Sequence, residues 1–223
     1  SIAGRYFGAS SLLVAIGVAV LAWTTGTSAI SEIGANVAAI SATPRAIAIG
    51  ALVLAAMIQS ALVPFHTWLL SSMTAPTPAS ALMHAGFVNA GGILLLRFAR
   101  VVSIDPVSMG LIVAIGAVSA LLGKLLKSVR ADVKRQLGCS TIGQMGFMLM
   151  QAGLGFFAAA IAHLILHGCY KAYLFLSSGE QVEHANPRPS KREHSMGMLG
   201  WLTSLVAAVA GGAIFVFLTG KGT

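Results

Sequence analysis

His163, His167 and Lys171 are spaced four and four along an otherwise apolar stretch of this 223-residue chain. Residues at i, i+4 and i+8 lie on one face of a helix, about 6 Å apart along its axis. The three therefore form a polar stripe about 12 Å long. Histidine both accepts and releases a proton near neutral pH, and a lysine taken out of water gives up its proton more readily than a solvated one. Such a row suits the relay of protons through bridging water. Two other readings stay open. The histidines could bond neighbouring helices, or the HxxxH pair could bind a metal. The pair lacks the glutamate of the HExxH motif, and no third ligand is evident, so no metal site is expected.

A second group of polar residues lies upstream: Gln59, His66, His84 and Asn89. Pro64, Pro76 and Pro78 interrupt the same region, and broken helices at membrane depth mark transport sites. His84 is expected inside its span. Asn89, five residues on, would stand about 140° round a straight helix and off His84's face. Gln59 and Asn89 suit either an ion pathway or helix-packing hydrogen bonds. Gly86, Gly91 and Gly92 favour close helix approach. His66, near Trp68, reads as interfacial. The run from Leu82 to Phe87 weakly echoes Ile165 to Tyr170, as duplicated transporter halves do.

The elements that must position these residues follow from composition. Apolar residues make up 57% of the chain and charged residues 9%, and mean hydropathy is +0.86. A soluble domain carries about 25% charge, so this chain needs a surface that faces lipid. The fold class expected is an all-α, polytopic transmembrane bundle. Seven spans are expected, over residues 6–23, 45–63, 78–97, 107–127, 137–154, 156–178 and 199–218. Residues 24–44 read as a loop containing Glu32, and residues 180–198 as a cytoplasmic linker within one partial transmembrane domain covering 1–223. No signal peptide is evident.

The chain has 14 Lys+Arg against 6 Asp+Glu, a net charge of +8. In a membrane chain this excess orients the spans rather than binding nucleic acid. The loops on one side carry nine basic residues: Arg5, Lys124, Lys127, Arg130, Lys134, Arg135, Arg188, Lys191 and Arg192. The other side carries four: Arg45, Arg97, Arg100 and Lys221. The nine mark the cytoplasmic side. The basic loop of Lys124, Lys127, Arg130, Lys134 and Arg135 is a topology signal that could also serve as a relay or a docking site for a partner or anionic lipid. Cys139 and Cys169 lie in apolar stretches and read as small apolar filler.

Several runs carry a resemblance. Pro64-Phe65-His66-Thr67-Trp68-Leu69, and then Ala75-Pro76-Thr77-Pro78-Ala79-Ser80-Ala81-Leu82-Met83-His84-Ala85, resemble the antiporter-like membrane subunits of respiratory complex I and multisubunit sodium/proton antiporters. Asp132-Val133-Lys134-Arg135-Gln136-Leu137 and Ser140-Thr141-Ile142-Gly143-Gln144-Met145-Gly146 look like the family's next signature. His163…His167…Lys171 with Leu174-Phe175-Leu176 and Gly179 is similar to its broken central helix. The resemblance implies a bundle of about fourteen helices built on inverted repeats, conducting protons through half-channels. This chain would then be an internal fragment, without the helix that carries the family's glutamate. By position, His84, His163, His167 and Lys171 fall on the central hydrophilic axis, and Lys134 on a basic position near a helix end.

Two departures refine this. Gln59 stands where complex I subunits carry a lysine. Trp68-Leu69-Leu70-Ser71-Ser72-Met73, Asn89-Ala90-Gly91-Gly92 and Tyr170-Lys171-Ala172-Tyr173-Leu174 look more like the membrane subunit of DAB-type inorganic carbon transporters. That resemblance implies a cytoplasmic, carbonic-anhydrase-like zinc partner, a bacterial inner-membrane location, and no catalytic residue or cofactor in this chain. Ion flow would drive one-way hydration of CO2 in the partner. One charge crossing 100 mV yields about 2.3 kcal/mol, roughly a fifty-fold bias. The alternatives are a complex I or sodium/proton antiporter subunit, and a non-conducting membrane anchor docked through the basic loop. The role of Lys221 stays open.

Overall fold

The apolar runs become helices in a computed structural model that describes residues 2–181 together with Leu202, Thr203 and Val206. The chain divides into two units, Ser1–His184 and Ala185–Thr223. The expected span at 199–218 and the linker at 180–198 lie almost wholly outside the described residues, as does Lys221. In the first unit the helices are α1 (Ile2–Thr25), α2 (Ile30–Asn36), α3 (Ala42–Gln59), α4 (Thr67–Ser71) and α5 (Thr77–Ala85). These are followed by α6 (Ala90–Arg97), α7 (Ala99–Val102), α8 (Pro106–Ser128), α9 (Val133–Gly153) and α10 (Phe157–Gln181). No strand occurs among the described residues.

Five helical segments are long and apolar enough to cross a membrane: Ile2–Thr25, Ala42–Gln59, Thr77–Arg97, Pro106–Ser128 and Phe157–Ser177. The expected span at 137–154 falls in α9, which is not among them. The reason is its surroundings. Eleven α9 residues are buried, among them Gly138, Thr141, Ile142, Gly143, Gly146, Met148 and Gly153. A helix sheathed by protein need not be apolar on every face, and its glycines and hydroxyls serve contacts with other helices.

Four local expectations change. Residues 24–44 are not all loop. Ile30, Ile33 and Val37 recur at helical spacing, α2 forms there, and Ile33 and Val37 are buried. The second span ends at Gln59 rather than 63. The chain then leaves the helix through buried Ser60, Ala61 and Leu62, and α4 resumes beyond Pro64. Trp68, expected at an interface together with His66, is fully buried. Its indole nitrogen donates at 2.9 Å to the Ile58 carbonyl in the last turn of α3, which also accepts from the Ala61 amide. Finally, the helix bearing the histidine stripe is unbroken through Phe157–Gln181. A dislocation instead falls between α5 and α6, where Phe87–Asn89 forms a 3-10 turn after Gly86.

Helix starts follow ordinary capping. Asp105 caps α8, accepting from the Ser108 amide at 3.2 Å, with Pro106 next in the chain. The Ser108 hydroxyl, which also bonds this carboxylate, holds Asp105 below its usual range. A depressed pKa stabilises the fold above the unfolded value, so this contribution is present at neutral pH and fades as pH falls below about 4. Asp105→Ala should cost about 1 kcal/mol. It should appear as a lower melting temperature in detergent at pH 7, with the gap to the parent protein narrowing at acid pH.

Candidate functional site

α9 and α10 run antiparallel and pack together, and α5 packs on α10. This arrangement gathers most of the chemistry-bearing residues. Lys171 is 1% exposed. Its Nζ donates to the Leu137 carbonyl at 2.9 Å and to Ser140 Oγ at 2.5 Å. Among the described residues no carboxylate pairs with it within 4 Å. The ammonium is therefore held by neutral dipoles of α9, which can hold a charge without fixing it as an ion pair would.

His84 is fully buried and stacks on Phe175 of α10, ring centroids 4.7 Å apart. Its Nδ1 lies 3.3 Å from Thr141 Oγ1. The Thr141 hydroxyl donates its proton to the Leu137 carbonyl at 3.0 Å, so it accepts from His84 Nδ1–H. In the neutral ring this leaves Nε2 as the free acceptor, and Nε2 has no partner. Leu137 thus joins Lys171 and His84 through one carbonyl.

One turn along α10, His167 is buried and its Nε2 also lacks a partner. A turn further, His163 Nδ1 donates to Gln151 Oε1 at 3.0 Å, its ring centroid 6.2 Å from that of His167. The polar row therefore follows α9 from Ser140 to Gln151, about 16 Å at helical rise. Lys134, one further turn and a half towards the start of α9, donates its Nζ to the Ala75 carbonyl just before Pro76.

Asn89 departs from the straight-helix expectation. The 3-10 turn after Gly86 redirects the chain. Asn89 is buried, donates to the Ala85 carbonyl at 2.7 Å, and leaves Oδ1 unpartnered. Gly168 of α10 faces both the Ala85 carbonyl and the Asn89 amide, where a Cβ would come within 3.1 and 3.5 Å. His84 and Asn89 therefore both border α10. The echo between residues 82–87 and 165–170 also gains a spatial meaning, since its two copies lie on packed helices.

Gln59 joins a different neighbourhood. Its Nε2 reaches Ser10 of α1 at 3.4 Å. The expected basic loop is mostly helix: Lys124 and Lys127 lie exposed in the last turns of α8, Lys134 and Arg135 in the first turn of α9, and only Arg130 lies in the short connection between them. Arg135 pairs with Asp132 at 3.8 Å. Arg130 and Arg135 line a cavity of about 300 Å³ with Thr67, Ser71 and buried Cys139. Attention to ionisable side chains passes over Ser140, Thr141 and Gln151. Their residue types are visible in the sequence; that they face the stripe is not, because it depends on how α9 and α10 pack.

Residues 1–219 match the transmembrane family described as NADH:quinone oxidoreductase/Mrp antiporter. The chain belongs to that family. It is a multi-pass membrane protein of the antiporter-like type. It is 48% identical over 162 residues to the probable inorganic carbon transporter subunit DabB of Bacillus subtilis, covering 71% of this chain and 32% of that protein. It is 39% identical over 156 residues to the chloroplastic NAD(P)H-quinone oxidoreductase subunit 5 of Liriodendron tulipifera, covering 68% of this chain and 21% of that one. Its fold is similar to a chain in the Mrp complex from Dietzia sp. DQ12-45-1b, with TM-score 0.79 and 33% identity, covering 85% of this chain and 22% of that chain. The chain thus spans about a third of the DabB relative's length.

Proposed function

We propose that this chain forms part of the proton- or cation-conducting pathway in the membrane subunit of a two-component inorganic carbon (CO2/bicarbonate) transport system of a bacterial inner membrane. The observation that carries the conduction reading is Lys171, buried at 1% exposure and held by a carbonyl and a hydroxyl. Such a residue inside a membrane is costly and by default functional. The unpartnered nitrogens of His84 and His167 and the Asn89 oxygen support it, because buried polar atoms of this kind are where bridging water settles. The carbon-transport reading is supported by the similarity to DabB and by the variant runs at residues 68–73 and 170–174.

Under this proposal a proton moves between Lys134, Lys171, His167 and His163, with His84 coupled to Lys171 through Leu137 and Thr141. Asn89 borders the route at Gly168, whereas Gln59 stands apart from it at Ser10 of α1. The hydration of CO2 would occur in a cytoplasmic, carbonic-anhydrase-like zinc subunit, and this chain would supply only the driving force. The basic Lys124–Arg135 corner, formed by the end of α8 and the start of α9, would face the cytoplasm and dock that subunit. A second reading, a subunit of a quinone oxidoreductase or sodium/proton antiporter, is favoured by the similarity to subunit 5.

Complementation separates the readings. The full-length subunit expressed with its zinc partner should rescue growth of a carbonic-anhydrase-deficient bacterium in ambient air, and omitting the partner should remove the rescue. His167→Ala should abolish rescue with membrane levels unchanged. Rescue that survives His167→Ala assigns the chain an anchoring role. Copurification with quinone-reductase activity assigns it to the second reading.

A further inference from the structure

Away from the polar row, two cavities meet at the end of α6. The larger, about 690 Å³, is lined by Arg97 and Arg100 with the hydroxyl-bearing Ser28 and Ser31. The smaller, about 280 Å³, is a groove between α6 and α10 walled by Ile93, Leu96, Ile161 and Leu164. Leu96 and Arg97 line both.

Neither arginine has an ion-pair partner within 4 Å among the described residues. Arg100 lies across α2 at Gly34, where a Cβ would come within 3.2 Å of the arginine stem. Gly34 thus leaves room for that stem to lie flat. The depth ordering matters. Arg97 closes the apolar segment Thr77–Arg97, and a basic side chain at the end of a span reaches for lipid headgroups. Ile93 lies one turn deeper, about 6 Å, and 56% of it is exposed. Ile161 and Leu164 lie in the first third of α10, so the groove runs from the Arg97 end of one span towards the apolar middle of another.

We infer that this is a binding site for one anionic phospholipid of the surrounding bilayer. Its phosphate sits between Arg97 and Arg100, and an acyl chain fills the Ile93–Leu164 groove. Two guanidinium groups match a phosphate through paired N–H donors, while the groove supplies the apolar contact that a free anion could not use. Charge complementarity and the continuity of the two cavities select a lipid over a peptide, which would need backbone partners along the groove. The inference stands independently of the conduction reading.

Native mass spectrometry of the detergent-solubilised full-length subunit tests it, with phosphatidylglycerol and phosphatidylcholine as probes. Phosphatidylglycerol should be retained at least tenfold over phosphatidylcholine. The double variant Arg97→Gln/Arg100→Gln should bring the two lipids to parity, and Arg97→Lys/Arg100→Lys should keep most of the preference, which guards against misfolding. Ile161→Trp should fill the groove and cut retention several-fold. Inorganic phosphate should not displace the lipid. Equal retention of both lipids, an unchanged preference in the Gln variant, unchanged retention in Ile161→Trp, or displacement by phosphate alone would each overturn the inference.

Discussion

Lys171→Met in the full-length subunit should reduce ion conduction at least tenfold without unfolding the protein. The reasoning is a difference of free energies. A lysine held at 1% exposure by neutral acceptors loses its hydration and recovers it only in part through Leu137 and Ser140. Removing a buried charge that has no ion-pair partner among the described residues also removes the cost of keeping it from water, which offsets the loss of its bonds to Leu137 and Ser140. The melting temperature in detergent should therefore stay constant or rise while proton uptake by energised proteoliposomes falls. A tenfold fall corresponds to about 1.4 kcal/mol on the barrier. Lys171→Arg completes the argument. Arginine keeps a positive charge at the site but does not release its proton in a protein. If the site needs only a fixed charge, Arg restores conduction; if it carries the proton, Arg fails as Met does. We expect failure in both. Conduction preserved in Lys171→Arg would assign Lys171 a purely electrostatic role, and a lowered melting temperature in Lys171→Met would assign it a structural one.

The stripe itself was legible because four-residue spacing survives any detail of packing. What faces it was not. One of the two acceptors of Lys171 is the Leu137 carbonyl, and a backbone carbonyl leaves no mark in a side-chain pattern. The pairing of His163 with Gln151 depends on the antiparallel register of α9 and α10, which the spacing within either helix does not encode. The prolines announced interruptions but not their depth. The segment after Gln59 is buried, and that burial turned Trp68 from an interfacial anchor into a core residue bonded to Ile58. His84 and Asn89 were set apart by straight-helix geometry, and the turn after Gly86 removed that premise. The missed features share one cause: hydropathy reports which residues avoid water, whereas helix breaks and neutral acceptors are set by neighbours distant in sequence.

Gly123→Ala and Gly146→Ala should each destabilise the bundle by about 1–3 kcal/mol, and the double variant should fail to accumulate in membranes. These glycines form the seam between α8 and α9. A Cβ on Gly123 would stand 2.3 Å from the Gly143 nitrogen and 2.5 Å from its Cα. A Cβ on Gly146 would stand 2.5 Å from the Ala120 nitrogen and 2.6 Å from the Gly116 carbonyl oxygen. All four atoms are backbone, so no side chain can rotate away and the helices must separate. In lipid there is little hydrophobic drive to hold helices together, and close packing of this kind carries the association. Gly8→Ala and Gly110→Ala are the controls. Both sites are helical and open, with nothing within 4 Å of an added Cβ, and helix propensity should make them neutral or stabilising by up to about 1 kcal/mol. The seam also bears on the polar row. Gly143 and Gly146 lie within two turns of Ser140 and Thr141 on the same helix, so pushing α9 off α8 shifts the acceptors of Lys171 and His84. Conduction should therefore fall in the single variants by more than their loss of folded protein explains, measured as flux per correctly inserted subunit. Flux that tracks folded protein alone would show that α9 moves as a rigid rod with α10 and that the seam serves stability only.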